Sequence, residues 1–453
     1  MRSLILLVLA ACPSSTPETR SVDETPWVSV PTEALPDFEG SPPKNVLMIS
    51  IDTLRKDHLS RYDPLERDLT PFLDDLMETG FVLDDHQTCS NWTFVGVTCT
   101  LAGANHTEIG FIPQLEPPSM RIPFRAGQEF LSDWMRDAGY ATVLASANGY
   151  LSRDWGTAAG YDATSGVAFD SAQTIYEGGL ADLQEAIDGG ADKWFLHLHF
   201  LEPHAPYLVH EGFTPDTSDL PDVRWDLSVK GQHYEATSQW GELTDAERDT
   251  LGEHLRRRYE GEVAWLDHVL AGYFADLGER GLLADTLVVV WSDHGEAFWE
   301  KGHQSHGWTL HRPENDGVAF FWSPQIVPGA WSGPTHATDL VPTILGLQGL
   351  QVPPSVSGVH VGLASPSRPR FAATVARAGV HQSVRRGNKK LIYEWSGPTR
   401  VYDLAVDSRE QLGVWDPDDP EHQELWELLS PEVAALLPLV EGFAPPAPPT
   451  WAP

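Results

Sequence analysis

Strongly apolar segments alternate along this chain with segments of helical periodicity, and this alternation constrains the fold more than any other feature. The first apolar run, residues 46–51, is continuous and ends at Asp52, as expected for a buried parallel strand. Further apolar runs are found at residues 141–145, 193–201 and 286–291. Helical patterns separate them at residues 69–79, 129–138, 175–187 and 245–277. This order predicts an α/β fold with a mostly parallel central sheet flanked by helices.

The last part of the chain has a different texture, with short strand-like pieces in place of long apolar runs. These pieces, at residues 371–375, 383–384, 391–393 and 400–404, precede a helical pattern at 420–436. They predict a small C-terminal antiparallel sheet subdomain. We therefore divide the chain into a leader (1–12), a Pro/Ser/Thr-rich tether (13–43), a main α/β domain (44–357), a C-terminal subdomain (358–442) and a Pro-rich tail (443–453).

The N-terminus carries a targeting pattern. A short apolar run, residues 4–11, follows Arg2 and ends in Leu9-Ala10-Ala11-Cys12, which resembles a bacterial lipobox. The resemblance implies cleavage before Cys12 and lipidation of its thiol; the alternative is an ordinary signal peptide with an incidental cysteine. We expect an exported bacterial lipoprotein on the periplasmic or cell-surface face of a membrane, attached through its lipid anchor only.

The net charge of −35 limits the partners of the chain. A surface this acidic repels nucleic acid, so we expect no nucleic-acid partner. An acidic surface does not collect anionic substrates either. Any anion site must be locally positive, and a bound metal ion is the simplest way to achieve this.

Polar residues directly follow two of the predicted strands. Asp52 ends the first strand, and Asp293-His294 follow the run 286–291. Ligands bind beyond the carboxyl ends of parallel strands, so these side chains are candidate metal ligands at one sheet edge. An oxygen and nitrogen donor set suits Zn²⁺ or Mn²⁺ better than Ca²⁺. For Asp52 alone, a helix cap or turn role is the alternative.

Two further segments offer reactive side chains. Thr93 lies where a loop enters a helix, in the positive field of the helix N-terminus, although threonine is also a common N-cap. His204 lies between Pro203 and Pro206 in a rigid loop, where it either donates to an anion or has a structural role. His303 and His306 follow Asp293-His294 closely, and with His204 they offer donors for a second metal.

Taken in order, these segments resemble the sulfatase branch of the alkaline phosphatase superfamily. The resemblance rests on NVLMISIDTLRKDHLSRY from Asn45, the WT…TLAG segment, GYATVLASANGYL, EPHAPY, SDHGE and the closing RVYDLAVDSRE. It implies an alkaline phosphatase-like fold with Asp52, Thr93, Asp293 and His294 as metal ligands. It also implies catalytic roles for Thr93, His204 and His306, and substrate-binding roles for Asn148 and His303.

This chain departs from typical sulfatases at the nucleophile. Their Cys or Ser in a C/S-x-P-x-R motif is oxidised to formylglycine, but here the matching stretch is Thr93-Phe94-Val95-Gly96-Val97, and threonine cannot form formylglycine. The usual adjacent pair of aspartate ligands is replaced by Asp52-Thr53. Both departures resemble the threonine-nucleophile branch of the superfamily, which acts on phosphate esters or phosphonates.

We expect a metal-dependent hydrolase of sulfuric or phosphoric esters, using one divalent ion (Zn²⁺, Mn²⁺ or Ca²⁺) and a Thr93 nucleophile on a small-molecule or glycan ester. The alternative is a catalytically inactive sulfatase-like protein that binds an extracellular glycan or anion. Two structural questions stay open. Cys89 and Cys99 either form a disulfide or are buried free thiols, and Trp92, Trp299 and Trp308 either stack on a leaving group or pack as support.

Overall fold

The computed structural model describes residues 35–63, 65, 67–110, 124–125, 127–376 and 379–439. Its strands are β1 Asn45–Ile51, β2 Phe81–Gln87, β3 Ala141–Ser146, β4 Ala163–Ser165, β5 Trp194–Phe200, β6 Thr286–Ser292, β7 Ala297–Phe298, β8 Gln304–Ser305, β9 Ala319–Trp322, β10 Gly329–His336, β11 Arg370–Ala376, β12 Gly379–Arg386, β13 Lys389–Glu394 and β14 Thr399–Asp403. Its helices are α1 Pro71–Thr79, α2 Thr93–Ala102, α3 Leu131–Asp137, α4 Ala172–Asp188, α5 Lys230–Ser238, α6 Asp245–Glu279, α7 Arg312–Asn315, α8 Leu340–Leu347 and α9 Pro420–Leu436.

The central sheet has eight strands in the order β10-β2-β9-β6-β1-β5-β3-β4. Strand β1 pairs in parallel with β5 on one side and with β6 on the other, whereas β9 is antiparallel to its neighbours. The three central strands are buried along their whole length, which explains their continuous apolar sequences. The predicted mostly parallel sheet is confirmed.

Helices cover both faces of this sheet, as predicted. On β1, Leu47 and Ile49 pack in a core with α1, α4 and α6, whereas Val46 and Met48 pack in a second core with α2 and α8. This division follows from the alternation of side chains along a strand. Ser50 and Asp52 continue the alternation that begins with Val46 and Met48, so they lie on the face of the sheet covered by α2.

The small antiparallel C-terminal sheet is also confirmed, with the order β11-β12-β13-β14 and α9 packed against it. Asp85 of β2 connects this small sheet to the central sheet through ion pairs with Arg370 and Arg385, in which the carboxylate oxygens lie 2.9 Å from the guanidinium nitrogens. Strand β11 therefore lies beside the end of β2, close to the segment that leads to Thr93.

The predicted lipobox, with Cys12, and most of the tether lie outside the described residues. Within the described part of the chain, no helix combines the length and apolar character needed to cross a membrane.

Candidate metal centre and active site

Neighbouring strands carry the carboxylates of the site. Asp52 follows β1 and Asp293 follows β6, and because these strands are parallel neighbours their ends lie side by side. Both residues are fully buried, and the Thr53 backbone N–H donates to Asp293 Oδ1 at 3.2 Å. Asp52 does not cap a helix; it lies in the turn that directly follows β1.

Asp52, Asp293 and His294 form a group of potential metal ligands whose donor atoms all lie within 4.8 Å of one another. His294 Nε2 is 3.4 Å from Asp293 Oδ2 and 3.7 Å from Asp52 Oδ1. Among the described residues, these two carboxylate oxygens have no hydrogen-bond partner although both are buried. Buried unpartnered oxygens are costly, and a cation between them satisfies both.

The electrostatics of the two carboxylates also favour a cation between them. Burial and the neighbouring Asp52 carboxylate raise the pKa of Asp293 well above its ordinary value. Burial alone would also raise the pKa of Asp52, but the His199, His204 and His294 imidazoles outweigh it and hold that pKa below its ordinary value. Two adjacent buried carboxylates repel each other unless a positive charge lies between them, so the residues fit a divalent cation.

Thr93 is the first residue of α2, and its hydroxyl reaches the metal ligands. Its Oγ1 lies 3.4 Å from Asp52 Oδ2 and 3.3 Å from His294 Nε2. The N-cap is Trp92, so the interpretation of Thr93 as the helix cap is wrong. The first N–H groups of a helix have no partner within the helix, so the start of α2 favours an anion beside the Thr93 hydroxyl.

Hydrogen bonds fix the orientation of three site histidines. Nδ1 of His294 contacts the Gly295 carbonyl at 2.8 Å, and Nδ1 of His204 contacts the Ala205 carbonyl at 2.6 Å. Nδ1 of His306 contacts Glu296 Oε1 at 3.2 Å. Because each acceptor requires an N–H at Nδ1, the Nε2 atoms are left for the site.

The three rings form a row. The His294 and His306 centroids are 4.5 Å apart, and those of His306 and His204 are 5.1 Å apart. His204 and His306 therefore lie in a row with His294, beside the candidate metal ligands.

The two predicted substrate-binding residues differ in position. Asn148 accepts the Tyr150 backbone N–H at 3.0 Å through Oδ1, which directs its Nδ2 toward Asp52 Oδ2 at 2.9 Å. His303 instead stacks on Trp308 with the centroids 4.8 Å apart. Within the described part of the chain, His303 has no contact with the candidate ligands.

The remaining aromatic candidates pack against other rings. Trp92 contacts Tyr150 edge-on with the centroids 5.7 Å apart, and Trp299 stacks on Trp240. Trp92 directly precedes Thr93 and Tyr150 is two residues after Asn148, so this ring pair lies next to the site segments. Trp299 and Trp308 have the packing role that we weighed as the alternative.

Cys89 and Cys99 are paired in a buried disulfide with their Cα atoms 6.6 Å apart. One cysteine precedes α2 and the other lies within it, so the bond encloses Thr93. This answers the question that the sequence left open and ties the segment before Thr93 to α2.

Two residues beside the site, His199 and Glu296, were not predicted from the sequence. His199 lies inside β5 with its Nε2 3.6 Å from Asp52 Oδ2, and Glu296 accepts from both His306 and Tyr207. The signal for His199 was the pair His197 and His199, which places two polar side chains on one face of an otherwise apolar strand. Glu296 stands in the quoted SDHGE segment and was not assigned a role.

Solved proteins share this fold. A protein solved in complex with its substrate D-glucosamine-2-N,6-O-disulfate superposes with a TM-score of 0.69 at 15% identity, over 87% of this chain and 98% of that one. A phosphonate monoester hydrolase from Silicibacter pomeroyi superposes with a TM-score of 0.65 at 18% identity, over 88% and 96% of the two chains.

Sequence comparison identifies the family. A choline-sulfatase of Rhizobium meliloti (strain 1021) is 27% identical over 277 residues, which are 54% of this chain and 50% of that protein. The chain thus spans about half the length of this curated relative. The sequence model of the sulfatase family matches residues 44–350, which are more than half of the chain and include every candidate ligand described above. With the strand-end carboxylates, the helix-start hydroxyl and the shared fold, this match shows that the chain belongs to the sulfatase family.

Proposed function

We propose that this chain is a divalent-metal-dependent hydrolase of sulfuric or phosphoric esters that uses Thr93 as its nucleophile and no formylglycine. The observation that carries the proposal is the position of Thr93 Oγ1, within 3.4 Å of both Asp52 and His294 at a helix N-terminus.

Asp52, Asp293 and His294 would hold the cation, with Thr93 as a further ligand. When bound, one Zn²⁺, Mn²⁺ or Ca²⁺ ion would make the Thr93 hydroxyl more acidic and neutralise charge on the ester oxygens. The Asp–His donor set favours Zn²⁺ or Mn²⁺.

The residues of the site define the steps. Thr93 Oγ forms a bond to the sulfur or phosphorus in line with the departing alcohol, as the bond to that alcohol breaks. The Thr93 hydroxyl gives its proton to solvent, and His204 or His306, protonated on both ring nitrogens, gives the leaving oxygen a proton from Nε2. Water then cleaves the ester on Thr93 and releases sulfate or phosphate, so the enzyme is regenerated with no oxidant or reductant. The same ring takes a proton from the attacking water, and the Thr93 oxygen regains its proton from solvent as the covalent ester is cleaved.

Glu296 and the α2 N-terminus assist these steps. Glu296 accepts a hydrogen bond from Nδ1–H of His306. The opposite ring nitrogen, Nε2, therefore points away from Glu296, and the His306 ring lies next to that of His294. The N–H groups at the start of α2 would receive the anionic oxygens of the transferred group. Trp92 and Tyr150 would border the leaving group of a small-molecule or glycan ester.

The test is hydrolysis of p-nitrophenyl phosphate, a bis-p-nitrophenyl phosphodiester and p-nitrophenyl sulfate by the full chain, with each metal and with a chelator. Metal-dependent turnover that is lost in Thr93→Ala supports the proposal. Thr98→Ala is the matched control, because Thr98 is a buried threonine of the same helix that bonds only to backbone carbonyls. The preferred ester decides between phosphate and sulfate chemistry.

Absence of turnover with every ester and metal would overturn the proposal in favour of an inactive sulfatase-like protein that binds a glycan or anion. Retention of wild-type turnover in Thr93→Ala would overturn the role of Thr93 alone. We also propose that the chain is exported and anchored through lipidated Cys12, on the strength of the Leu9-Ala10-Ala11-Cys12 pattern.

A further inference from the structure

A continuous chain of buried hydrogen bonds runs beneath the site and ends at His199, whose ring lies beside Asp52. The Tyr161 hydroxyl contacts His197 Nδ1 at 2.9 Å, and His197 Nε2 contacts Ser50 Oγ at 2.8 Å. Ser50 Oγ contacts His199 Nδ1 at 2.7 Å, and His199 Nε2 lies 3.6 Å from Asp52 Oδ2. We call Tyr161, His197, Ser50 and His199 the buried relay; each is at most 1% exposed.

Sheet register assembles the relay. Ser50 of β1 lies opposite His199 of β5, and His197 is two residues earlier on the same face. Tyr161 stacks on Phe195, the next residue of that face, with the centroids 5.8 Å apart, and this contact brings its hydroxyl to His197. The relay is therefore part of the rigid sheet core and not of a loop.

Donor and acceptor counts give the relay one direction. Burial and the neighbouring His199 hold the pKa of His197 well below its ordinary value, so His197 is neutral and has one N–H. If Tyr161 donates to His197, then His197 donates to Ser50, Ser50 donates to His199, and an N–H of His199 faces the Asp52 carboxylate. Every contact then joins one donor to one acceptor.

The opposite direction is unfavourable at both ends. It would direct a lone pair of His199 Nε2 toward the Asp52 carboxylate. It would also turn the Tyr161 hydrogen away from His197, and the described residues offer no other acceptor for it. An unsatisfied buried hydroxyl and a lone pair facing a carboxylate are both costly, so the direction toward Asp52 prevails.

We propose that the buried relay fixes His199 as an Nε2–H donor to Asp52 Oδ2 and so sets how strongly Asp52 binds the cation. Asn148 and Thr93 donate to Asp52 Oδ2, and His199 Nε2 lies 3.6 Å from the same oxygen, which leaves Oδ1 for the metal. Ser50, His197 and Tyr161 are positioning residues that act through His199. The inference deepens the proposed function and rests on its metal site.

Outer hydrogen-bond partners of metal ligands typically change metal affinity by about 10–100-fold. We therefore expect Ser50→Ala to weaken Mn²⁺ and Zn²⁺ binding by roughly that factor in isothermal titration of the metal-stripped full chain. Tyr161→Phe should weaken binding in the same direction by a smaller factor. Thr286→Val is the matched control, because it removes a buried hydroxyl at the opposite end of the sheet.

A second substitution separates this role from packing. In His199→Gln, the side-chain amide can donate to Asp52 without help from Ser50. Ser50→Ala should then cause no further loss of affinity in the His199→Gln background. Circular dichroism and the melting temperature of the metal-free variants identify any that do not fold, and Tyr161→Phe preserves the test if Ser50→Ala is one of them.

The outcomes distinguish the relay from the metal site. If the wild-type chain binds neither Mn²⁺ nor Zn²⁺, the proposed metal site and this inference both fail. If it binds them and folded Ser50→Ala or Tyr161→Phe binds with the same affinity, only the relay is refuted. A loss from Ser50→Ala that persists unchanged in the His199→Gln background would refute it as well.

Discussion

Gly96 lies one helical turn after Thr93, and a methyl group at this position would collide with the backbone that carries Asp293. A Cβ built on Gly96 would be 2.7 Å from the Asp293 carbonyl oxygen and 3.4 Å from the Asp293 Cβ. The first distance is about 0.7 Å short of ordinary van der Waals contact. In Gly96→Ala, α2 and the end of β6 must therefore move apart.

This movement separates Thr93, the proposed nucleophile, from Asp293, a candidate metal ligand. We expect Gly96→Ala to lower the free energy of unfolding by about 1–3 kcal/mol, as overpacked cores do. A misplacement of about 1 Å in an active site costs roughly 100-fold in rate, so kcat/KM should fall by roughly 10–100-fold. The loss should remain at saturating metal, because the geometry between Thr93 and Asp293 has changed.

Two helical glycines serve as controls in the same p-nitrophenyl ester assay. Gly278 of α6 has nothing within 4 Å of a built Cβ, so Gly278→Ala should keep full activity and gain about 0.5–1 kcal/mol of stability. Gly179 of α4 would place its Cβ 2.6 Å from the Leu198 side chain, so Gly179→Ala should lose stability but keep kcat/KM. Wild-type turnover in Gly96→Ala would refute a collision between α2 and the end of β6. A loss of turnover no larger than the fraction of the variant that is unfolded would refute an effect on the site geometry.

Three other predictions follow from the buried groups and the leader. Burial raises the pKa of Glu314 to about 8, so the native state keeps a proton that the unfolded chain releases near pH 4.5. The free energy of unfolding should therefore fall by roughly 4–5 kcal/mol as the pH rises from about 4.5 to about 8. In urea denaturation, Glu314→Gln should make the free energy of unfolding less dependent on pH across this range. An unchanged slope would contradict the assignment. The Cys89–Cys99 bond joins residues ten positions apart, so Cys89→Ala with Cys99→Ala should lower the free energy of unfolding by about 2–3 kcal/mol. Equal denaturation midpoints would argue against this. Cys12→Ser should abolish incorporation of a labelled fatty acid during growth, whereas retained label would exclude Cys12 as the lipidation site.

Much of the fold was predictable because the central strands are buried on both sides. Strands β1, β5 and β6 are continuous apolar runs, so burial alone identifies them. Strands β2 and β10 were missed for physical reasons. The sequence FVLDDHQ of β2 ends in polar residues, and GAWSGPTH of β10 is an edge strand with two glycines and a proline, a composition typical of loops.

The site was partly predictable for the same reason. Asp52, Asp293 and His294 follow recognisable strands, and parallel strands bring their carboxyl ends together. Their roles, like those of Thr93 and the histidines, stay predictions that the experiments above test. His199 could not be assigned because its position inside a strand resembles core alternation, and only the pairing register with Ser50 reveals the contact.

The adjacency of Asp52 and Asp293 also has a consequence for how the chain reaches its native state. Their repulsion exists only after β1 and β6 have paired, because the unfolded chain keeps the two residues far apart in solvent. A cation that binds the finished sheet edge but not the unfolded chain adds about 2.7 kcal/mol of stability at one hundred times its Kd. Folding and metal loading are therefore thermodynamically linked, and the sheet edge should show faster amide hydrogen exchange in a chelator than in excess metal.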